Sequence, residues 1–164
     1  MTGSICNITN LAVKRITADE IQLVVGLFDK YRVFYKKTSD LALAENFISA
    51  RLVNNESVIF VVVDTAADTL VPVAFTQLYP KYSSVSAVKN WILNDLYVDD
   101  KYRNKGVGRL LIDAAIAFAK ETNAKFVQLE TATDNYNAQH LYELSGFVKQ
   151  APDDEFILYR KNVD

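Results

Sequence analysis

Residues 91–120 read WILNDLYVDDKYRNKGVGRLLIDAAIAFAK, and no other stretch restricts the fold of this chain as strongly. An apolar, β-rich run (91–98) meets a polar loop (99–105), and a turn flanked by Gly106 and Gly108 opens directly into a helical repeat. Val107, Leu110, Leu111, Ala114, Ala115 and Phe118 recur at i, i+3, i+4, i+7, i+8 and i+11, so one side of this helix must pack on a sheet. Its first turn lacks a Ser, Thr, Asp or Asn cap, which leaves its first N–H groups without an internal partner. The positive end of the helix dipole sits there, the glycines keep side chains away, and Arg103, Lys105 and Arg109 bracket the turn with positive charge. The combination suits a phosphate. The same residues also serve a plain strand-to-helix connection, with glycines for the turn and solvated cations. Two phosphate motifs are excluded by inspection: a P-loop needs Gly-x-x-x-x-Gly-Lys-Ser/Thr, and a dinucleotide fingerprint needs a third glycine where Leu111 stands.

Around this unit, strands and helices alternate. Residues 11–16 suit a short strand, and Thr17, Ala18, Asp19 and Glu20 spell a capping box that starts a first helix. Ile21, Val24, Val25, Phe28, Arg32 and Tyr35 follow helical spacing; Tyr31 and Phe34 widen the face with rings that serve core packing or the lining of a pocket. Ser39 and Asp40 cap a second helix with Leu41, Ala44, Phe47, Ile48 and Leu52 on one side. Residues 57–64, SVIFVVVD, read as a strand buried on both faces, and 71–79 forms a hairpin with it, with Pro72 at a strand start or bulge. Residues 80–90 are predicted as a polar loop long enough to carry function. After the central helix, which stops near Asn123, residues 125–131 form the next strand. This β-α-β unit predicts parallel strands with ligands beyond their carboxyl ends, at Val98 and Thr131. A helix over about 137–145 stopped by Gly146, a closing strand from Phe147, a turn at 152–155 and a last strand at 156–160 complete the prediction.

With 164 residues, 50% of them apolar, the chain can bury one core in one domain, with residues 1–8 expected to be flexible. A net charge of −2 argues against nucleic acid as a partner. Cys6, the single cysteine, excludes an internal disulfide, and no Cys/His cluster has zinc spacing, so no metal is expected. Without a signal segment or an apolar run of about 20 residues, the expectation is a cytoplasmic protein with no membrane association.

Arg103-x-x-Gly106-x-Gly108 resembles the acetyl-CoA pyrophosphate loop of the GNAT (Gcn5-related) N-acetyltransferases. A second motif, Asn135-x-x-Ala138-x-x-Leu141-Tyr142-Glu143-x-x-Gly146-Phe147, follows in that family's order and separation. The likeness covers roughly residues 13–160. It implies a single-domain α/β fold over residues 1–164, with a mixed, twisted central sheet flanked by helices and splayed between the strands ending near Val98 and Thr131. It also implies transfer of acetyl from acetyl-CoA to a primary amine. The implied cofactor contacts are Arg103, Asn104, Lys105, Gly106, Val107, Gly108 and Arg109 for the pyrophosphate, the backbones of Leu96, Tyr97 and Val98 beside the pantetheine arm, and Asn135. YRVFYKKTSDLALAENFI, ESVIFVVV, FTQLYPKYSS and WILNDLYV resemble a subgroup that includes yeast acetyltransferases acting on histones, polyamines and other small amines. In that frame Tyr31, Tyr35, Gln77 and Tyr79 wall the acceptor pocket, and the protein is a homodimer with residues 156–159 as a candidate exchange point.

In the family the tyrosine matched by Tyr142 protonates the departing CoA sulfur, a task suited to a phenol with an ordinary pKa of about 10; without the motif it reads as an aromatic packed beside Ala138 and Leu141. Ile92 stands where histone-acetylating relatives carry a glutamate. Asn94 lies two residues on, by strand alternation on the same face, and is a candidate for orienting a water or the amine. Asp95, of opposite parity, and Glu130 are expected to be structural partners rather than bases, and His140 a surface residue. Cys6 has no adjacent base, so direct attack in a ternary complex is expected. The first choice of acceptor is a small-molecule amine or polyamine; the alternatives are a protein lysine, as in histone acetylation, and a non-catalytic acyl-CoA-binding sensor.

Overall fold

The computed structural model describes residues 10–66, 69–151, 157 and 159–163. Strands β1 (Leu11–Arg15), β2 (Val58–Asp64), β3 (Val71–Ser83), β4 (Val88–Val98) and β5 (Val127–Gln128) form one sheet in chain order. Neighbours run antiparallel from β1 to β4, and β4 and β5 are parallel. Helices α1 (Gln22–Phe34), α2 (Leu41–Val53), α3 (Val107–Glu121) and α4 (Tyr136–Leu144) complete the mixed α/β architecture expected from the sequence. Among the described residues, no helix is long and apolar enough to cross a membrane.

The unbroken apolar run of β2 is explained by a core on each face. Ile59, Val61 and Val63 pack with Val24, Phe28 and Ile48 under α1 and α2; Phe60 and Val62 pack with Leu111, Ala115 and Phe118 of α3. Each such aliphatic side chain contributes roughly 1.5–3 kcal/mol when buried, so the central strand stabilises both layers. On α3 the buried stripe is Val107, Leu111, Ile112, Ala115, Phe118 and Ala119. The sequence reading had Leu110 and Ala114 where the fully buried residues are Ile112 and Ala119; Ala114 is partly buried against the same core.

The two helices on the other face are tied by Asp29, which is buried. It accepts hydrogen bonds from Ser39 Oγ at 2.6 Å and the Asp40 N–H at 2.8 Å, with Arg32 at 3.5 Å. Asp40 then caps α2 as predicted, accepting from the Leu43 N–H at 2.9 Å.

Several elements differ from the sequence reading. Thr17 begins a single 3-10 turn over Ala18–Glu20 before α1, with the Thr17 N–H donating to the Glu20 carboxylate at 3.3 Å. Residues 80–90 are not a loop: β3 and β4 continue as a long hairpin paired as far as Ser83↔Val88, and Ala87 turns with φ +51. Polar residues alternating with Tyr79, Tyr82 and Val88 suit an antiparallel ribbon exposed near its tip. The strand expected at 125–131 shortens to Val127–Gln128. Asn90 Oδ1 takes the N–H groups of Lys125 (3.0 Å) and Phe126 (3.2 Å), and the chain leaves the sheet at Leu129. Residues 147–150 form no strand. The lead with Cys6, the turn at 152–155, and Phe156 and Leu158 of the expected last strand lie outside the described residues. Pro72 does sit at a bulge, where Val62 pairs with Ala74 and Val63 with Pro72.

The Ser39 hydroxyl, then the Asp40 N–H and Arg32, hold the Asp29 carboxyl below its ordinary value in spite of burial. A depressed carboxyl stabilises the fold above its unfolded-state pKa, and that contribution is lost as pH falls through the folded value. Asp29→Ala should therefore lower the unfolding free energy at neutral pH by about 1–3 kcal/mol in urea titrations, with the difference from wild type closing on acidification. An unchanged midpoint at pH 7 would show that the α1–α2 tie is dispensable.

Candidate active site

β4 and β5 are paired only at Trp91↔Val127 and Ile92↔Gln128. The paired end is pinned by Trp91, whose Nε1 donates to Thr122 Oγ1 at 2.8 Å and whose ring lies 5.0 Å from Phe118. Past it, residues 93–98 of β4 pair with β3 alone, leaving one backbone edge open. This is the expected splay between the two strands, and it begins at Leu93.

The open edge leads through a 3-10 turn (Asp100–Tyr102) to the start of α3. Asn104 and Gly106 both have positive φ, +58 and +79, and Gly106 caps α3 with no side-chain hydrogen bond. The N–H groups of Arg109 and Leu110 donate to the Gly106 carbonyl at 3.1 and 3.3 Å. Those of Val107 and Gly108 have no acceptor among the described residues, as expected for a helix start without a polar cap. Gly108 has a further reason to be glycine: a Cβ there would stand 2.9 Å from Leu141 Cδ2 of α4.

The flanking cations are not simply solvated. Arg103 Nε donates to the Val98 carbonyl at 2.9 Å and its guanidinium pairs with Asp100 at 2.7 Å. Lys105 Nζ reaches the Lys101 carbonyl at 2.7 Å. Arg109 bridges Asp113 at 2.8 Å and the Leu144 carbonyl at 3.0 Å, which ties the start of α3 to the end of α4. Arg103 and Arg109 remain exposed. Unpaired N–H groups at the positive end of a helix, with cations beside them, fit an anionic group.

At the middle of β4 the register against β3 slips. Gln77 pairs with Asp95 and Leu78 with Leu93, so Asn94 has no partner. Before this bulge Trp91 and Leu93 belong to the α3 core; after it Leu96 and Val98 pack there, while Tyr97 belongs to the α1–α2 core. The bulge thus exchanges the faces of the strand. The parity expected for Asp95 changes for this reason: past the bulge it alternates with Leu96 and lies on the side of Tyr97. Asn94 is exposed and its Nδ2 donates to Asp95 Oδ1 at 3.1 Å.

Asp95 is 5% exposed. Gln77 Nε2 donates to its Oδ2 at 2.7 Å, and the Tyr31 phenol faces the carboxyl from α1. Burial nevertheless pushes the carboxyl above its ordinary value. Gln77 Oε1 is buried without a partner. Burial, and then the charge of Asp95, raise Tyr31, and the same causes push Tyr79 up to about 12. Tyr142 is pushed up to about 12 by burial, with Tyr35 also acting on it. The Tyr35 ring stands edge-on to Tyr31 at 5.0 Å and is half exposed.

The structure therefore brings Gln77 and Tyr31 to Asp95, with Tyr79 within electrostatic reach of its charge and Tyr35 and Tyr142 within reach of Tyr31, although Asp95 was not expected in the site. The one signal in the sequence is an acid within an apolar strand. Asn135 acts as the cap of α4, its Oδ1 accepting from the Ala138 N–H at 3.3 Å. Glu130 and His140 are exposed, as expected for His140.

A model of the acetyltransferase (GNAT) family matches residues 24–147. An uncharacterized N-acetyltransferase of Bacillus subtilis (strain 168), YhfO, is 39% identical over 151 residues, which are 92% of this chain and 97% of that protein. Among solved structures, a probable acetyltransferase is 34% identical with a TM-score of 0.82, covering 92% of this chain and 99% of the other. An aminoglycoside N-acetyltransferase solved in complex with CoA shares the fold at 15% identity and a TM-score of 0.74, over 93% and 95% of the two chains.

Gly106 holds a left-handed conformation that costs a residue with a side chain roughly 1–2 kcal/mol. Gly106→Ala should lower the unfolding free energy by about that amount in a denaturant titration. A variant as stable as wild type would mean that the turn relaxes out of this conformation at no cost.

Proposed function

The chain belongs to the acetyltransferase (GNAT) family and is an N-acetyltransferase, and on that footing we propose that it transfers acetyl from acetyl-CoA to the primary amine of a small molecule, a polyamine being the first candidate. The observation that carries the choice of acceptor is the Asp95–Gln77 pair beneath Tyr31, Tyr35, Tyr79 and Tyr142. A buried carboxylate beside an unpartnered amide oxygen suits a cationic group, and the crowd of rings suits a slender one. The CoA complex of the aminoglycoside acetyltransferase, which shares this fold, supports acetyl-CoA as donor and a small amine as acceptor.

Acetyl-CoA is a consumed substrate, and the chain's own groups fit it. The unpaired N–H groups of Val107 and Gly108 take the pyrophosphate, assisted by Arg103, Lys105 and Arg109 and by the backbone of Asn104. The open edge of β4 lies beside the pantetheine arm. Leu96 and Tyr97 offer their backbones there, whereas the Val98 carbonyl already accepts from Arg103. Asn135 contributes by setting the start of α4. Tyr142, a phenol raised to about 12, stays protonated at working pH and donates to the departing sulfur. Attack is direct, in a ternary complex.

The test is thiol release from acetyl-CoA against polyamines, aminoglycosides, amino acids and lysine peptides. Turnover with small amines is expected, and turnover confined to lysine peptides would overturn the choice of acceptor. Tyr142→Phe should lower kcat by about 100-fold or more while calorimetry finds acetyl-CoA affinity nearly intact. Full activity in that variant would remove Tyr142 from the chemistry.

A further inference from the structure

Among the described residues, Asp95 accepts hydrogen bonds from Gln77 Nε2 and Asn94 Nδ2, and the Tyr31 phenol lies against the carboxyl; all three are neutral. Among the described residues, the titratable groups around this site are Tyr31 of α1, Tyr35 at its C-terminal cap, Tyr79 of β3 and Tyr142 of α4. Arg51 of α2 and Glu56 act on Tyr79 rather than on Asp95. A carboxyl taken out of water and left without a cation is poorly accounted for as a structural ion pair, because nothing offsets its desolvation. Its placement is specific: the bulge at Asn94 turns it toward α1, and Tyr31, which faces it, is in ring contact at 5.0 Å with the half-exposed Tyr35 and within electrostatic reach of Tyr142.

We propose that Asp95, reached through the Tyr31 hydroxyl, is the end point for the proton that the acceptor ammonium sheds before it attacks. This deepens, and rests on, the acetyltransferase reading above. One N–H bond of the ammonium breaks and its proton passes to the Tyr31 oxygen as the Tyr31 O–H proton passes to an Asp95 oxygen. The freed nitrogen lone pair forms the C–N bond at the thioester carbonyl. The C–S bond then breaks with its electron pair going to sulfur, which takes the Tyr142 proton; a second proton shed by nitrogen restores that phenol. Asp95 returns its proton to solvent back through Tyr31, so the sum is an amide, a free thiol and one proton. Burial makes the Asp95 carboxyl a better proton acceptor than an exposed one, and the elevation of Tyr31 keeps it a phenol that passes protons rather than holding charge. Gln77 and Asn94 are positioning residues that fix both carboxyl oxygens.

The test compares the pH dependence of kcat/KM for wild type, Asp95→Asn and Tyr31→Phe on whichever acceptor class the panel shows to be turned over. A primary amine has a pKa of about 10 and is an ammonium at neutral pH, so a broken relay is most damaging there. Both variants should lose about 100-fold at pH 7, with the deficit shrinking as pH approaches the acceptor's own pKa, and with acetyl-CoA affinity unchanged. A deficit of the same size at every pH would mark a packing role and overturn the relay, as would wild-type activity in either variant. Turnover of peptides alone would overturn the small-amine reading while leaving the profile measurable, so the two failures are distinguishable. If circular dichroism shows that Asp95→Asn does not fold, Tyr31→Phe carries the test, since it leaves the buried carboxyl and its amide partners in place.

Discussion

Between Gln77 and Leu78 the pairing of β3 with β4 slips by one residue, and the side chains of β4 change faces at the unpartnered Asn94. A strand with unbroken alternation would keep Trp91, Leu93, Asp95 and Tyr97 on one side, so Asp95 would intrude on the core beneath α3. With the bulge, Trp91 and Leu93 stay in that core, Leu96 and Val98 take over after it, and Asp95 turns with Tyr97 toward α1. The same stretch is where β5 stops pairing, so the re-aimed carboxyl and the open backbone edge belong to one segment of one strand. A bulge is a local loss of ladder hydrogen bonds, and bulges concentrate where a side chain must be re-aimed.

The two motifs that stand far apart in the chain are in contact in the fold. A Cβ at Gly108, in the first, would collide with Leu141, in the second. Arg109, beside the first, donates to the carbonyl of Leu144 at the end of α4. The anion-ready turn and Tyr142 are therefore joined by helix-on-helix packing that is close at Gly108, where a Cβ would require the Leu141 side chain to shift. The two cores serve the same end from the other side: the α1–α2 layer, locked by Asp29, carries Tyr31 and Tyr35 to the bulge.

How much was legible follows from the range of each interaction. The α3 repeat, the uncapped helix start, the two-faced burial of β2, the Asp40 cap and the bulge at Pro72 are local consequences of residue type and spacing, and each stands in the structure. The pair of spaced motifs carried the family as well, whereas the matches support the family and not the narrower likeness to yeast histone and polyamine acetyltransferases. The tip of the β3–β4 hairpin was misread because polar residues at an exposed ribbon look like a loop when the partner strand is unknown. The strand at 125–131 was overextended because its β-rich composition does not say where hydrogen-bonding partners end.

The sequence by itself determined the four helices and the apolar strands, the helix start whose N–H groups lack a polar cap, and the family to which the chain belongs, because periodicity, glycine placement and motif spacing are encoded over a few neighbouring residues. Only the tertiary structure decided that Asn94 is skipped, that Asp95 rather than Asn94 is the buried polar centre, and that Gln77 and Tyr31 face it. Register is a relation between two strands, and burial is a relation among all the layers that cover them. A one-residue slip therefore leaves no mark in either strand alone, yet it reverses the direction of every side chain that follows.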